Sequence, residues 1–202
     1  MYVPAHFAEN DPAALHDAME RYSFATLISR AGGEPFASHL PLLLERDSGP
    51  QGTLIGHMAR ANPQWREAAG QVVLAVFSGP HAYISPTWYA AEQVVPTWNY
   101  VAVHAYGRLE LIDDPAAAEA VLRRTIDVYE ASQPQPWQLD ESPQFALRLV
   151  RQIVAFRIPI ERTQGKWKLN QNHPEERRER VVAALESQAD ENSREIARLM
   201  RG

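Results

Sequence analysis

Cysteine is absent from this chain of 202 residues, and so is any long apolar run. The lack of cysteine excludes disulfides, thiolate metal sites and thiol redox chemistry, so a redox role would require a bound cofactor. No stretch approaches the ~20 apolar residues that a membrane-spanning helix requires. The opening MYVPAHFAEND has Pro, His and acidic residues where a secretory signal has a basic start and an apolar block. We therefore expect a cytoplasmic protein.

Basic residues are outnumbered by acidic ones, 20 against 25, which gives a formal net charge of -5. Such a balance gives no general attraction to nucleic acid, whose binding depends on Lys and Arg neutralising phosphates. The apolar share of 45% and the charged share of 22% are ordinary for a soluble globular protein. The chain is long enough to bury a sizeable core, and we expect one domain.

Alternation and turn residues predict six or seven strands. SFATLISR and PFASHLPLLLER flank Ala31-Gly32-Gly33, which predicts a hairpin. The apolar run QVVLAVFSG predicts a strand buried on both faces. Further strands are predicted at 53–57, 81–84, 98–112 and 153–160, the last with Val154, Phe156, Ile158 and Ile160 on one face.

Helices are predicted where a capping side chain precedes a proline, at Asp11-Pro12, Asn62-Pro63 and Asp114-Pro115. Further helices are expected at 143–149 and from Pro174, with a last short one capped by Asn192 or Ser193. Helices inserted among strands, without strict alternation, favour a mainly β fold with flanking helices (α+β), an antiparallel sheet or barrel. Since side chains fill a small barrel, a ligand would sit outside it or between subunits.

The stretch from Leu54 to Tyr100 combines apolar strands with polar, basic and aromatic residues. It holds three of the five tryptophans, together with His57, His81, Arg60 and Asn62. An anionic ligand with a flat ring would suit this set, and flavin mononucleotide (FMN) is our main hypothesis. The phosphate would require the planar fork of Arg60, helped by His57 and the amides leading into the helix at Asn62.

The flavin ring would require donors and acceptors along its pyrimidine edge, which strand backbone supplies. Residues 38–41 (SHLP) form such a strand, and Pro41 denies one donor, which indicates an edge. Positive charge near this edge of the ring would stabilise the anionic reduced flavin, and Lys166 and Lys168 are candidates.

Other hypotheses start from other residues. The histidines at 39, 57, 81 and 104 would suit a metal or haem, but none forms the i, i+4 pair of a helical ligand set. Ser85 lacks the Gly-x-Ser-x-Gly elbow of a hydrolase nucleophile. A DNA-binding repressor would need a recognition helix and a basic surface, and residues 175–180 instead balance three acids against three arginines.

Several motifs in order resemble one family. MYVPAHF, SHLPLLL, GHMARANPQW, FSGPHAYISPTWY, VPTWNYVAVHAYG and KWKLNQN are similar to the PaiB-type FMN-binding negative transcriptional regulators, whose split β-barrels resemble pyridoxamine 5'-phosphate oxidases. The likeness runs from residue 1 to about Asn172. It implies an FMN-binding split-barrel domain over 1–172, with a C-terminal helical extension over 173–202 packed on the same domain.

The resemblance also implies a homodimer that binds FMN between its subunits. Ser38, His39 and Leu40 would face the ring edge, whereas His57, Ala59, Arg60 and Asn62 would surround the ribityl phosphate. Trp98 and Asn99 would border the same cleft, and Lys168 and Gln171 would reach in from the other chain. Two residues depart from the family pattern: Asn170, where a serine is expected, and His173, where another basic or polar residue is expected.

No side chain stands out as a general acid, base or nucleophile. FMN-dependent oxidoreductase activity and a redox or regulatory role both stay open, because the cofactor can carry the electron transfer. The alternatives are a DNA-binding transcriptional repressor and a haem-handling protein on a similar barrel. Direct nucleic-acid binding is not expected.

Overall fold

A computed structural model describes residues 1–139 and 142–202, without the side chain of Pro143. Within these residues the chain forms eight strands and six α-helices. The strands are β1 (Ala8–Glu9), β2 (Phe24–Ala31), β3 (Glu34–Glu45), β4 (Thr53–Ala59), β5 (Val72–Ile84), β6 (Thr97–Arg108), β7 (Glu110–Ile112) and β8 (Ile153–Lys168). The helices are α1 (Pro12–Arg21), α2 (Gln64–Ala68), α3 (Pro115–Glu130), α4 (Pro143–Gln152), α5 (Glu175–Glu186) and α6 (Glu191–Arg201).

The strands pair in the order β1-β8-β4-β3-β2-β5-β6, β7 pairs with β8, and β8 also pairs with β6. The chain divides into two compact units. The terminal unit comprises residues 1–15, 78–103 and 164–202, and the central unit comprises 16–77 and 104–163. Strands β5, β6 and β8 contribute residues to both units.

In the central unit, the predicted hairpin joins β2 to β3. Its register runs from Phe24↔Pro41 to Ala31↔Glu34, and Gly32 and Gly33 have φ of 60° and 85°. Two consecutive positive φ values define the turn that matches the twist of paired strands. Strand β3 continues with β4 from Leu42↔Gly56, and β4 pairs antiparallel with β8 as far as Ala59↔Ile153. The antiparallel, mainly β architecture with flanking helices is confirmed.

The helices α3 and α4 cover part of this sheet. Asp114 caps α3 by accepting a hydrogen bond from the Ala117 amide at 2.9 Å. The apolar core beneath the two helices consists of Leu43, Ile55, Ala118, Val121, Val150 and Ala155. The predicted cap at Asp11 is also present, since its carboxylate accepts from the amides of Ala13 and Ala14.

In the terminal unit, β1 pairs with the end of β8 through Ala8↔Lys166 and Glu9↔Gly165. The last two helices share an apolar core with the end of β5. Its buried members are Ala82, Ile84, Tyr89, Leu169, Val181, Val182, Leu185, Ile196, Ala197 and Met200. The division into a domain over 1–172 and an extension over 173–202 stays a prediction.

Several predicted boundaries are corrected. Strand β5 is continuous through Pro80, and its residues alternate between buried and less buried instead of being buried on both faces. The long strand expected at 98–112 breaks at Leu109, whose amide donates to Gln71 and whose carbonyl accepts from Gly70. The loop predicted over 132–141 includes residues 140 and 141, which lie outside the described residues.

The other corrections lie nearer the C-terminus. Strand β8 continues past Ile160 to Lys168. The cap of α6 is Asp190, which accepts from the Ser193 amide at 2.8 Å, and not Asn192 or Ser193. No helix among the described residues has the length and apolar character that crossing a bilayer requires.

Candidate functional site

Asn62 joins two of the predicted site segments in the central unit. Its side-chain amide donates to the Ser38 hydroxyl on β3 at 2.8 Å. Its side-chain oxygen accepts from the amide of Gln64, the first residue of α2, at 3.0 Å, although the N-cap position itself is Pro63 and not Asn62 as predicted. Asn62 therefore connects β3, whose residues 38–40 are predicted to face the flavin ring, to the start of α2, which is predicted to face the FMN phosphate.

Gln64 anchors the same corner from inside the protein. It is fully buried, and its side-chain amide donates to the carbonyl of Leu27 at 3.1 Å and to the hydroxyl of Ser29 at 3.0 Å. Sequence reasoning missed this residue. The signal was available, because Gln64 stands immediately after the cap-and-proline pair of Asn62 and Pro63.

Arg60 is exposed and holds a fixed position beside the end of α4. Its Nε donates to the Arg151 carbonyl at 2.9 Å, and its Nη2 donates to the Ile153 carbonyl at 2.6 Å. Its backbone amide donates to the Gln152 carbonyl at 2.7 Å. A cation near the last carbonyls of a helix is electrostatically favourable. The residues around the end of α4 therefore orient the guanidinium.

Arg60 also lines a cavity of about 350 Å³ on the side of the sheet covered by α3 and α4. Trp65 lines it too, and the indole nitrogen of Trp65 donates to the Arg60 carbonyl at 3.1 Å. The remaining lining is mainly apolar, with Asp113 and Arg151 as further charged residues. Arg60, the residue predicted to bind the phosphate, therefore borders this cavity.

His57 is half-buried near the end of β4, and its Nδ1 is buried without a hydrogen-bond partner. Burial lowers the pKa of His57. On β3, His39 is exposed, and its Nδ1 lies 3.1 Å from the Thr26 hydroxyl. Leu40 is half-buried and Ala59 is exposed. An unpaired buried nitrogen is a natural position for a ligand group to bind.

Lys168 lies in the terminal unit at the end of β8. Its ammonium donates to the Trp98 carbonyl at 2.6 Å and to the Thr97 hydroxyl. Burial, followed by the neighbouring charge of Lys166, lowers the pKa of Lys168. Thr97 was missed at the sequence level, since only folding brings β6 beside this lysine.

Trp98 presents an exposed aromatic surface. Its side chain is 53% accessible, and its ring lies 6.1 Å from His81 and 5.9 Å from Tyr83. Asn99, the next residue, is fully buried, and its amide donates to the sulfur of Met200 at 3.5 Å. Asn99 therefore lies in the apolar core, and the exposed surface is formed by Trp98 and its ring neighbours.

The segment after Lys168 is organised by its own side chains. Gln171 accepts from the Leu169 amide at 2.8 Å and donates to the Trp167 carbonyl at 2.6 Å. Asn170 has a φ of 61°, a backbone conformation that asparagine tolerates better than most residues. Its amide donates to the hydroxyl of Tyr89 at 3.1 Å.

His173 stacks on the same Tyr89 ring at 4.8 Å between centroids. The two departures from the family pattern thus contact one buried tyrosine. Asn170 has a structural role here, in its backbone conformation and its bond to Tyr89.

The predicted residues form two groups, one in each unit. The central group is Ser38, His39, Leu40, His57, Ala59, Arg60 and Asn62; the terminal group is Trp98, Asn99, Lys168 and Gln171. Their joint role in one site stays a prediction. Within residues 1–139 and 142–202, no cluster of three or more His, Asp or Glu residues is placed to hold a metal ion.

The chain resembles known proteins over nearly its whole length. Residues 1–162 match the family model described as "Putative FMN-binding domain". The chain is 36% identical over 202 residues to the protease synthase and sporulation protein PAI 2 of Bacillus subtilis, covering 99% of this chain and 96% of that one.

Two solved structures are similar in fold. The flavocytochrome Anf3 of Azotobacter vinelandii aligns with a TM-score of 0.64 at 16% identity, over 82% of this chain and 72% of that one. The FAD and haem binding protein of Mycobacterium smegmatis aligns with a TM-score of 0.63 at 15% identity, over 87% and 79%. The resemblance to the PaiB-type family and the split-barrel type of fold are confirmed.

Proposed function

The chain belongs to the FMN-binding domain family. We propose that it is a flavoprotein that binds FMN through the central group of one subunit together with Lys168 and Gln171 of a second subunit. FMN is the cofactor that the family membership indicates. The observation that carries the assignment of residues is the hydrogen bond between Asn62 and Ser38, because it unites the proposed ring edge and the proposed phosphate site.

The central group fits the polar parts of FMN. The guanidinium of Arg60 uses Nε and Nη2 for carbonyls, which leaves Nη1 to donate to a phosphate oxygen. His57 offers an unpaired Nδ1. In the described strand order β3 neighbours only β2 and β4, and its pairs with β4 begin at Leu42. The backbone of residues 38–41 is therefore available to the pyrimidine edge on one side.

The terminal group would act on the ring. When bound, FMN supplies the electron transfer, and the protein supplies position and electrostatics. The ammonium of Lys168 would favour the anionic reduced form, and the exposed indole of Trp98 would border the ring. Gln171 would help to hold the turn that carries Lys168, since both ends of its side-chain amide bond to the neighbouring backbone.

The proposed assembly is a homodimer in the cytoplasm, with one FMN at each of two clefts between subunits. Lys168 and Gln171 of one subunit would then complete the central group of the other. A redox or regulatory role would operate through the bound flavin and without direct contact to nucleic acid. The balanced charges of α5, with an ion pair between Arg180 and Glu176 at 2.5 Å, support this part of the proposal.

The test is titration of the purified protein with FMN, followed by flavin absorbance and fluorescence, with the solution mass measured alongside. Arg60→Ala should weaken FMN binding by about 1.5 to 3 kcal/mol, as expected for a lost hydrogen bond to a charged group. Arg66→Ala is the matched control, because Arg66 is an exposed arginine whose charge lies over the Trp65 ring.

Unchanged affinity in Arg60→Ala would exclude the phosphate assignment, and a monomeric mass with full FMN binding would exclude the dimer interface. Titration with haem gives the discriminating control. A Soret band in the absence of FMN binding would favour haem handling.

A further inference from the structure

Lysine occurs at only two positions in this chain, although Lys and Arg together number 20. The two are Lys166 and Lys168, so 20 minus 2 leaves 18 arginines. Both lie on β8, two residues apart, a spacing that puts side chains on the same face of a strand. The ε-amino groups of the whole protein are therefore gathered in one place.

Lys166 is only 7% exposed, and its ammonium forms no ion pair with a carboxylate among the described residues. Its ammonium donates to the Tyr2 carbonyl at 3.1 Å and lies 5.1 Å from the centre of the Tyr100 ring. Lysine is rarely buried to this extent unless a carboxylate pairs with it. The buried positive charge is thus stabilised by a carbonyl and by aromatic faces.

Lys168 is half-buried beside it, with its ammonium 5.8 Å from the centre of the Phe7 ring. Its hydrogen-bond acceptors, the Trp98 carbonyl and the Thr97 hydroxyl, are uncharged. Partial burial and a like charge both disfavour the ammonium form, in agreement with the lowered pKa of Lys168. A lysine in apolar surroundings beside another cation is the arrangement that activates an amine as a nucleophile.

We propose that Lys168 is a nucleophilic amine that captures aromatic aldehydes carrying an anionic group, with Lys166 as the neighbouring cation that attracts the anion and keeps the amine reactive. The neutral amine attacks the carbonyl carbon, and a carbon–nitrogen bond forms. The π bond of the carbonyl breaks as this bond forms, both protons of the neutral amine pass to the oxygen, and the remaining carbon–oxygen bond breaks to release water. The product is a Schiff base, and the step needs no oxidant or reductant.

The aldehyde class follows from the neighbours of the pair. The rings of Phe7, Tyr100 and Tyr2 face the two ammonium groups, and the exposed indole of Trp98 belongs to the residue whose carbonyl Lys168 binds. A flat apolar ring would pack on such surfaces, and its anionic substituent would compensate the charge of Lys166. The Schiff-base step needs no bound flavin, but it uses the neutral amine of Lys168, whereas the ammonium form of the same residue is proposed to lie beside FMN.

The experiment uses the full chain without FMN and 4-carboxybenzaldehyde as the probe. Cyanoborohydride reduces any Schiff base to a stable amine, and peptide mass mapping then assigns the adduct to Lys168, Lys166 or the N-terminal amine. We expect Lys168 to carry most of the adduct and K168R to lose it. Adduct mainly on Lys166 or the N-terminus, or none, would overturn the proposal.

Two variants of Lys166 separate electrostatics from mere accessibility. K166R keeps the charge and should keep labelling at Lys168, whereas K166Q removes the charge and should slow it. Equal labelling in both would overturn the role of Lys166.

The choice of aldehyde tests the anionic group. Benzaldehyde, which lacks the carboxylate, should label Lys168 more slowly than 4-carboxybenzaldehyde, and equal rates would overturn the preference for an anionic aldehyde. The FMN titration is a separate measurement, so its failure leaves the lysine result unaffected, and the reverse also holds.

Discussion

Arg60 in the central unit and Lys168 in the terminal unit are both basic residues, but their side chains have opposite surroundings. Arg60 is exposed, and carbonyls at the end of α4 orient its guanidinium. Lys168 is half-buried and has only uncharged acceptors, and its pKa is lowered by burial first and then by the charge of Lys166. The comparison indicates that the first residue is suited to holding an anion in a fixed place, and the second to chemical reaction.

The largest expected effect comes from crowding the backbone next to the lysine pair while the region of Arg60 stays unchanged. A methyl group at Gly165, next to the lysine pair, would lie 2.4 Å from a Leu15 side-chain carbon and 2.8 Å from the Glu9 carbonyl oxygen. Because the Glu9 carbonyl belongs to the paired strand β1, Gly165→Ala should destabilise the protein by about 3 kcal/mol, at the upper end of typical overpacking. Chemical denaturation measures the change.

Gly56→Ala is the matched substitution beside His57 in the central unit. Its nearest contact, at 2.7 Å, is the end of the Leu42 side chain, which can shift, and the nearest backbone atom is 3.2 Å away. We expect a smaller loss of about 1 to 2 kcal/mol. A larger loss in Gly56→Ala than in Gly165→Ala would contradict the packing described for the two regions.

Removing a helix cap in each region should cause a smaller loss of stability. Asp114→Ala removes the cap of α3, which helps to form the cavity at Arg60, and should cost about 1 kcal/mol. Asp11→Ala should cost less, because its bonds to Ala13 and Ala14 are longer, at 3.2 and 3.3 Å. Thermal melts of the two variants show which one loses more stability. Equal losses would contradict the expectation that the shorter capping bond contributes more.

The pH dependence from His57 should be the smallest effect. Burial lowers the folded-state pKa of His57 below its ordinary value of about 6.5, so the unfolded chain binds more protons below that pH. The stability contributed by neutral His57 is present above about pH 6.5 and is lost as the pH falls toward the folded pKa. His57→Asn should therefore lose less stability on acidification.

Denaturation of wild type and variant at several pH values measures this difference directly. Burial also lowers the pKa of His104 and of His173, so wild type and variant share part of the acid effect. Identical slopes in the two proteins would show that His57 does not contribute.

Local signals in the sequence predicted a large share of the fold. The hairpin at Gly32-Gly33, the caps at Asp11 and Asp114 and the bond from Asn62 to the start of α2 all depend on residues within a few positions of one another. Such signals need no knowledge of distant segments. They also located the corner where Asn62 meets Ser38, since both lie in stretches singled out for their composition.

What the sequence did not reveal depends on distant partners. The carbonyls that hold Arg60 lie about 90 residues later in the chain, at the end of α4. The extension of β8 past Ile160 includes polar residues and is paired with β1, a strand of two residues. The break at Leu109 is made by bonds to Gly70 and Gln71. None of these pairings leaves a local pattern.

The length of β8 restricts how the chain can vary between its apolar half and its lysines. The buried residues Val154, Phe156, Ile158 and Ile160 and both lysines occupy even-numbered positions of one 16-residue strand. Neighbouring side chains in a strand point to opposite faces. A single insertion or deletion at 161–164 would therefore move the lysines to the face that Trp167 now occupies, and Trp167 to the face of the lysines. Natural length variation in this segment should therefore occur in steps of two residues.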